Sequence, residues 1–160
     1  ILQPATLAAL AAGDGPARAP AEARTRELGI SAAVRFAGFM TQGQVADLLA
    51  TSDMLVLPSF AEGLPVVYME ALASLIPVVA SRVAGVQELV EDGVTGYTVP
   101  PGDIASILDR ILRLMANPSA AQAMGEAGRK AVEAGFDISH EGAWLAQIFR
   151  QGGPEGKLRP

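Results

Sequence analysis

The feature that most constrains the fold is a regular alternation between short aliphatic runs and segments of helical periodicity. Each run is β-branched or aliphatic and is bounded by glycine, proline or serine, as expected of a buried strand. Four runs have this character: AVRFAGF (33–39), DMLVLPS (53–59), IPVVAS (76–81) and GYTVP (96–100). Strands that alternate with helices imply βαβ units. The sequence therefore predicts an α/β fold built on a doubly wound parallel sheet.

The segments between and after these runs are expected to be helical. In the first, Val45, Leu48 and Leu49 recur at helical spacing. The others are PVVYMEALAS (65–74), GVQELVEDG (85–93) and, beyond the last strand, DIASILDRILRLMANP (103–118), SAAQAMGEAGRKAVEAG (119–135) and ISHEGAWLAQIFRQ (138–151). Asp103 and Ser119 are candidate N-caps. The stretch ATLAALAAGDGP (5–16) is rich in alanine like a helix but ends like a strand entering a turn, so both readings stay open.

Length and composition favour one globular domain. The chain has 160 residues, of which 50% are hydrophobic and 18% charged, enough for a single core. We expect a nucleotide-sugar-binding domain over residues 1–152, incomplete at its N-terminus, and a flexible tail over residues 153–160. A net charge of −5 without a basic run argues against nucleic acid as a partner.

The compartment is predicted from what the composition lacks. There is no cysteine, which excludes disulfides and fits a reducing compartment, so we expect a cytoplasmic protein. No apolar run approaches the roughly 20 residues that a transmembrane helix requires. The sequence also contains no Asp-x-Asp pair and a single histidine, so neither a metal nor a cofactor is predicted.

Two glutamates eight positions apart, Glu62 and Glu70, lie in the otherwise apolar stretch SFAEGLPVVYMEALAS (59–74). This stretch includes a strand-to-helix loop, and such loops gather at the carboxyl ends of parallel strands, where ligands bind. Gly63 allows the backbone to approach a ligand, and the free amides of the first helical turn favour a phosphate. Carboxylates accept hydrogen bonds from paired hydroxyls, so a phosphorylated polyol such as a nucleoside diphosphate sugar is a coherent ligand. Alternatively, Glu62 acts only on the helix dipole and Glu70 only faces solvent.

The segment PSFAEGLPVVYMEALA (58–73) resembles the E-x7-E signature of retaining GT-B glycosyltransferases, in particular glycosyltransferase family 4, the group 1 glycosyl transferases. The resemblance extends through residues 28–59 and 77–118, and AAGDGPARA (11–19) is similar to a turn that follows a strand in the family. It implies that the chain is the Rossmann-like C-terminal half of a GT-B fold, with an all-helical C-terminal region. The whole enzyme would transfer a sugar from a nucleotide-sugar to an acceptor with retained configuration.

The resemblance assigns roles to residues of the motif. Glu62, the catalytic candidate, takes the place of the glutamate that contacts hydroxyls of the donor sugar. The backbone amides of Gly63 and Leu64 correspond to those that hold the donor phosphates or sugar. Glu70 corresponds to the glutamate that binds the nucleotide ribose.

Residues outside the motif receive roles in the same way. The loop that carries Phe39 and Met40 corresponds to the one that lies along the base. Glu88 corresponds to a recurrent glutamate of the family, and we favour a structural role for it. Outside the resemblance, His140 is expected to be an ordinary helix residue. The apolar face of the last helix is expected to be formed by Trp144, Leu145, Ile148 and Phe149 and to pack in the core or against another domain.

The departures from the family pattern shape the functional expectation. The family usually has a small residue, often glycine, where this chain has Leu75. The resemblance also implies an arginine and a lysine upstream of Gly13 that neutralise the diphosphate, and an N-terminal acceptor-binding domain, neither of which this sequence supplies. Because charge stabilisation of the leaving group is the central contribution to such a reaction, we expect the isolated chain to be nearly inactive.

Two further interpretations stay open. One is a non-catalytic nucleotide-sugar-binding or structural remnant domain. The other is a different GT-B enzyme such as an epimerase, for which the sequence shows no matching constellation. A strand edge left open at the N-terminus would also favour pairing between chains, so a homodimer is expected.

Overall fold

The computed structural model describes residues 8–136 and, further along, residues 142, 146, 147, 149 and 150. The chain divides into two units, Ile1–Thr51 and Ser52–Pro160. The predicted tail, His140, Trp144, Leu145 and Ile148 lie outside the described residues. Phe149 is described and is 75% exposed, so it is not part of the core of this chain, and its packing against another domain stays a prediction.

The first unit contains two parallel strands and two helices. Its elements are β1 (Ala9–Ala12), α1 (Arg18–Glu27), a single 3₁₀ turn (Ser31–Ala33), β2 (Val34–Gly38) and α2 (Gln42–Leu49). Strand β1 pairs with β2 in parallel register, Ala9 opposite Val34. Within the described part of the alanine-rich stretch, Ala9–Ala12 therefore form a strand that enters the Gly-Asp-Gly turn. Thr41 and Gln44 close the start of α2 with a capping box.

Helix α1 was not predicted from the sequence. It buries none of its residues, so it carries no apolar stripe from which periodicity could have identified it. Ion pairs along its surface join Arg18 to Glu22 and Arg24 to Glu27. Arg18 also pairs with Asp14 in the preceding turn, which fixes the start of the helix.

The second unit is built on three parallel strands in the order β3-β4-β5. Its elements are β3 (Leu55–Leu57), α3 (Val66–Ala73), β4 (Val78–Ser81), α4 (Val86–Leu89), β5 (Gly96–Val99), α5 (Ile104–Ala116) and α6 (Pro118–Gly135). The central strand β4 is buried along its whole length, which explains its unbroken aliphatic sequence. The alternation of strands and helices is confirmed, with parallel pairing throughout the ladders. Hydrogen bonds among the described residues group the strands into a two-stranded and a three-stranded sheet.

Helices α5 and α6 cover one face of the second sheet. Val79 of β4, Leu114 of α5 and Met124 of α6 form a buried cluster. Helix α6 also packs closely on α3, because a Cβ at Gly128 would overlap the side chain of Leu72. Leu72 is fully buried at this contact, a burial that stabilises a fold by roughly 1.5–3 kcal/mol. The described helices include none that is both long and apolar enough to cross a bilayer.

The helix caps agree with the sequence at one of two positions. Asp103 caps α5, since its carboxylate accepts a hydrogen bond from the amide of Ser106 at 3.0 Å. The prediction of Ser119 as a cap is wrong, because α6 begins at Pro118 and the side chain of Asn117 accepts from the amide of Ala120 at 3.1 Å. Proline is favoured at a first helical position, so the helix starts one residue before Ser119.

Helix α3 ends in a left-handed turn at Leu75. The amide of Ile76 donates to the carbonyl of Ala71 and that of Leu75 to Leu72, which is the Schellman pattern. Leu75 has φ of +65° and is the one non-glycine residue with positive φ in the described part of the chain. The expectation that the family favours a small residue here has a physical basis, because a left-handed backbone is strained for a residue with a Cβ.

Candidate functional site

The site is centred on the loop of residues 58–65, which connects the carboxyl end of β3 to α3. Glu62 lies in this loop and is half-buried. Its carboxylate accepts a hydrogen bond of 2.7 Å from the hydroxyl of Ser59. The loop is thus closed on itself by a short charge-assisted bond, and the orientation of the Glu62 carboxylate is fixed by a residue three positions earlier.

Tyr68, in the first turn of α3, ties the helix back to the strand. Its side chain is completely buried, and its hydroxyl donates to the carbonyl of Leu57, the last residue of β3, at 3.0 Å. Burial and, as the smaller cause, the negative charge of Glu62 together raise the pKa of Tyr68 to about 12. The phenol is therefore neutral and remains a hydrogen-bond donor at physiological pH.

The loops that follow β3 and β4 meet in the second unit. Gly85, in the loop after β4, has φ of +77°, and a Cβ placed on it would overlap the carbonyl oxygen of Gly63. The loop after β5 approaches as well, since a Cβ on Gly102 would lie 3.3 Å from the ring of Phe60. The predicted gathering of loops at the carboxyl ends of these strands is thus present around residues 58–65.

The start of α3 has the features of an anion site. Within the described segment 65–73, Pro65 is the N-cap residue and makes no side-chain capping bond, and the first turn of the helix carries no acidic residue. Helix N-termini present free amides and a partial positive charge. Gly63, immediately before this turn, is exposed, so its backbone is open to a ligand.

Glu70, the second glutamate of the motif, lies one turn further along α3 and is half-buried. Helix and loop thus place Glu62, Gly63, Leu64 and Glu70 on one continuous segment at the end of β3. Phe39 and Met40 follow β2 in the first unit, where Phe39 is 81% exposed. Their assignment to a base-binding loop stays a prediction, as does the structural role of Glu88, which is exposed in α4.

Sequence reasoning missed several residues that shape this site. Ser59 and Tyr68 hold the loop, and Gly85 makes room for it. The spacing of Ser59 and Glu62, three residues apart in a loop, was the one local signal available. The guanidinium of Arg82, after β4, donates to the carbonyl of Thr98 at 3.3 Å and lies 3.4 Å from its hydroxyl oxygen, which fixes a cation in the β4–α4 loop.

Groups of three or more potential metal ligands do not occur among the described residues. The chemistry of the site is that of hydrogen-bond acceptors on carboxylates beside backbone donors. Such an arrangement suits a neutral polyol joined to an anion.

The family model described as glycosyl transferases group 1 matches residues 5–131. The chain belongs to this family. The group 1 family inferred from the E-x7-E motif is thereby confirmed, whereas retention, membership of family 4 and the C-terminal donor-binding role stay predictions.

Characterised relatives of this glycosyltransferase chain include two bacterial enzymes. It is 35% identical over 140 residues to the alpha-D-kanosaminyltransferase of Streptomyces kanamyceticus, a match that covers 88% of this chain and 36% of the relative. It is also 35% identical over 123 residues to the N-acetyl-alpha-D-glucosaminyl L-malate synthase of Bacillus anthracis, covering 77% of this chain and 32% of the relative. The chain spans about a third of the length of these relatives.

Solved structures establish the fold. The sucrose-phosphate synthase of Thermosynechococcus elongatus superposes with a TM-score of 0.81 at 31% identity, over 89% of this chain and 37% of that one. HepE of Anabaena, solved in complex with UDP, gives a TM-score of 0.85 at 23% identity, over 92% of this chain and 42% of that one. The predicted α/β fold is confirmed as that of GT-B glycosyltransferase domains.

Proposed function

We propose that this glycosyltransferase chain is the donor-binding, C-terminal half of a retaining enzyme of glycosyltransferase family 4. In this role it binds a nucleoside diphosphate sugar, whose sugar the complete enzyme transfers to an acceptor. The observation that carries the proposal is the half-buried Glu62 carboxylate, which Ser59 holds at 2.7 Å where the loops after β3 and β4 meet.

Each part of the donor has a matching group in the proposal. Glu62 accepts hydrogen bonds from hydroxyls of the donor sugar. The amides of Gly63 and Leu64, with the free start of α3, hold the phosphates, because an uncapped helix N-terminus favours negative charge. Glu70 binds the ribose hydroxyls, and Phe39 and Met40 lie along the base.

The proposed reaction keeps the anomeric configuration of the sugar without a protein nucleophile. The departing diphosphate accepts the proton of the acceptor hydroxyl on the same face from which it leaves. Glu62 fixes the sugar ring during this step. Electrostatic stabilisation of a developing charge contributes several kcal/mol to such reactions, so turnover is expected to require the diphosphate-neutralising cations and the acceptor-binding domain of the complete enzyme. The isolated chain binds donor, needs no metal or cofactor, and catalyses little.

The test is calorimetric titration of the full 160-residue chain with UDP, GDP, ADP and their glucose conjugates. UDP is the first probe, because the structure of HepE contains it. Replacing a charged acceptor by an amide, Glu62→Gln or Glu70→Gln, is expected to weaken binding of the nucleotide-sugar by about 1–3 kcal/mol. The matched control is Glu126→Gln, which changes an exposed residue of α6 and is expected to leave the affinity unchanged.

The two glutamates are distinguished by the ligand they affect. Glu70→Gln is expected to weaken binding of both the diphosphate and the sugar conjugate. Glu62→Gln is expected to weaken binding of the conjugate alone. Absence of binding to every nucleotide would overturn the proposal in favour of a structural remnant of the fold. Retention is tested on the longer enzyme by determining the anomeric configuration of its product by proton NMR.

Dimerisation is a separate proposal that rests on the exposed edge of a short sheet. Among the described residues, β1 pairs with β2 and with no other strand, so its other edge is open to a second chain. Size-exclusion chromatography with light scattering is expected to show a dimer at high concentration. A monomer at all concentrations would contradict it.

A further inference from the structure

The loop that carries Glu62 is clamped at its two ends by a single side chain. Leu57 is the last residue of β3 and Tyr68 belongs to the first turn of α3. The bond from the Tyr68 hydroxyl to the Leu57 carbonyl joins positions 11 residues apart in sequence at 3.0 Å. Everything between these two residues, including Glu62, Gly63 and Leu64, is enclosed by that bond.

We propose that Tyr68 is a positioning residue for the donor sugar. Its hydroxyl fixes the end of β3 relative to the start of α3, and the enclosed loop then holds Glu62 towards the sugar hydroxyls. This inference rests on the proposed function, because it concerns the sugar-binding part of that same site.

The burial of Tyr68 separates this role from ordinary packing. A fully buried side chain that only filled space would be served by phenylalanine, which lacks the polar atom that must be paired. The hydroxyl of Tyr68 is paired with a backbone carbonyl at the strand end rather than with a neighbouring helix residue. A buried bond of this kind restricts the loop ends, and its removal leaves the Leu57 carbonyl without this donor.

A second hydrogen bond lies inside the clamp and completes the connection to the carboxylate. Ser59, two residues beyond Leu57, donates to Glu62 at 2.7 Å. The position of Ser59 depends on where β3 ends, which the Tyr68 bond fixes. The charge of Glu62 in turn acts on the Tyr68 phenol, which shows that the two side chains are close enough to interact electrostatically.

The geometry predicts which part of the donor is bound less tightly when the Tyr68 hydroxyl is removed. Glu62 lies in the enclosed loop, whereas Glu70 lies on α3, outside the clamp and supported by the helix itself. Tyr68→Phe should therefore affect the part of the donor that Glu62 holds, the sugar. It should affect the nucleoside diphosphate less, because Glu70 lies outside the enclosed loop and binds the diphosphate in addition to the Gly63 and Leu64 amides.

The experiment compares Kd values of the full chain for the nucleotide-sugar and for the matching diphosphate. In Tyr68→Phe the Kd for the conjugate is expected to rise about three- to tenfold, the range for one neutral hydrogen bond, and the Kd for the diphosphate is expected to rise by a smaller factor. The control is Tyr97→Phe, which changes the other tyrosine of the chain, on β5 under the guanidinium of Arg110. It is expected to leave both Kd values unchanged.

A double-mutant comparison separates positioning from packing. If Tyr68 acts through Glu62, Tyr68→Phe has almost no further effect on the conjugate in a Glu62→Gln background. Equal effects in both backgrounds, or equal losses for diphosphate and conjugate, would assign Tyr68 to packing alone and overturn the inference.

A ligand-free measurement keeps the inference testable if no nucleotide-sugar binds. In that case the proposed function fails, and hydrogen exchange decides the structural part. Tyr68→Phe is expected to speed amide exchange in residues 58–64 while exchange in β4 stays as in the wild type. Unchanged exchange in residues 58–64 would show that the hydroxyl does not hold the loop.

Discussion

Gly85 lies against Gly63 so closely that any side chain at position 85 would overlap the carbonyl oxygen of Gly63. Two loops that follow neighbouring parallel strands are thus in backbone contact. The contact defines one wall of the candidate site, because Gly63 directly follows Glu62. At Gly85 the loop after β4 therefore supports the loop of residues 58–65 through its backbone.

Gly85→Ala is expected to destabilise the protein and to abolish nucleotide-sugar binding. The new Cβ meets the Gly63 carbonyl, and alanine is strained at φ of +77°. Left-handed strain and overpacking together amount to about 2–4 kcal/mol. Urea unfolding measures the loss. The control is Gly43→Ala in α2, where a Cβ would meet none of the described atoms and where the change is neutral or stabilising. Equal stability of Gly85→Ala and wild type would contradict the close contact.

Leu75→Gly is expected to stabilise the protein by about 0.5–1 kcal/mol, because glycine adopts the left-handed turn without strain. The side chain that is lost is 44% exposed, so little packing is removed with it. Chemical denaturation of Leu75→Gly beside Leu75→Ala isolates the backbone contribution, since both variants lose the side chain and only glycine relieves the strain. A glycine variant less stable than the alanine variant would show that the turn is not left-handed in solution.

Asn117→Ala is expected to lower the free energy of unfolding by about 1 kcal/mol, the usual contribution of an N-cap. The side chain of Asn117 accepts the amide hydrogen of Ala120, and alanine leaves that amide unpaired. Ser119→Ala is the comparison, because the Ser119 hydroxyl only donates to Asn117 at 2.9 Å. We expect its effect to be much smaller. A larger loss in Ser119→Ala would restore Ser119 as the cap.

The ionisation of Tyr68 gives a pH-dependent prediction. Its folded-state pKa of about 12 lies above the ordinary value of 10.0, so the folded protein holds this proton more tightly than the unfolded chain. The associated stability is therefore fully present below about pH 10 and is lost as the pH rises from about 10 to about 12. Tyrosinate absorbance, read as the difference between wild type and Tyr68→Phe, measures the pKa.

The same titration of Glu62→Gln tests whether the charge of Glu62 contributes to the raised pKa of Tyr68. Removing the negative charge is expected to lower the Tyr68 pKa towards 10, although burial keeps it raised. A midpoint that does not move would show that Glu62 and Tyr68 do not interact in solution.

The order of strands and helices was predictable because burial imposes a pattern on the sequence. The aliphatic run of β4 reflects a strand that is buried along its whole length. The helical spacing of Val45, Leu48 and Leu49 in α2 reflects one buried side chain, Leu49, and two half-buried ones. Helix α1 was not predicted because it buries no residue and so has no apolar pattern. Ion pairs join side chains along its surface instead. The shift of the α6 cap from Ser119 to Asn117 arose because Pro118 can start a helix.

The sequence alone indicated the family, because Glu62 and Glu70 lie at E-x7-E spacing within a long stretch that resembles the group 1 glycosyl transferases, and the model of that family matches residues 5–131. Only the tertiary structure decided how Glu62 is held. The bond from Tyr68 to Leu57 and the contact between Gly85 and Gly63 join residues far apart in the chain. Neither leaves a periodic trace in the sequence, because each depends on where a strand ends in space rather than on which face of it is buried.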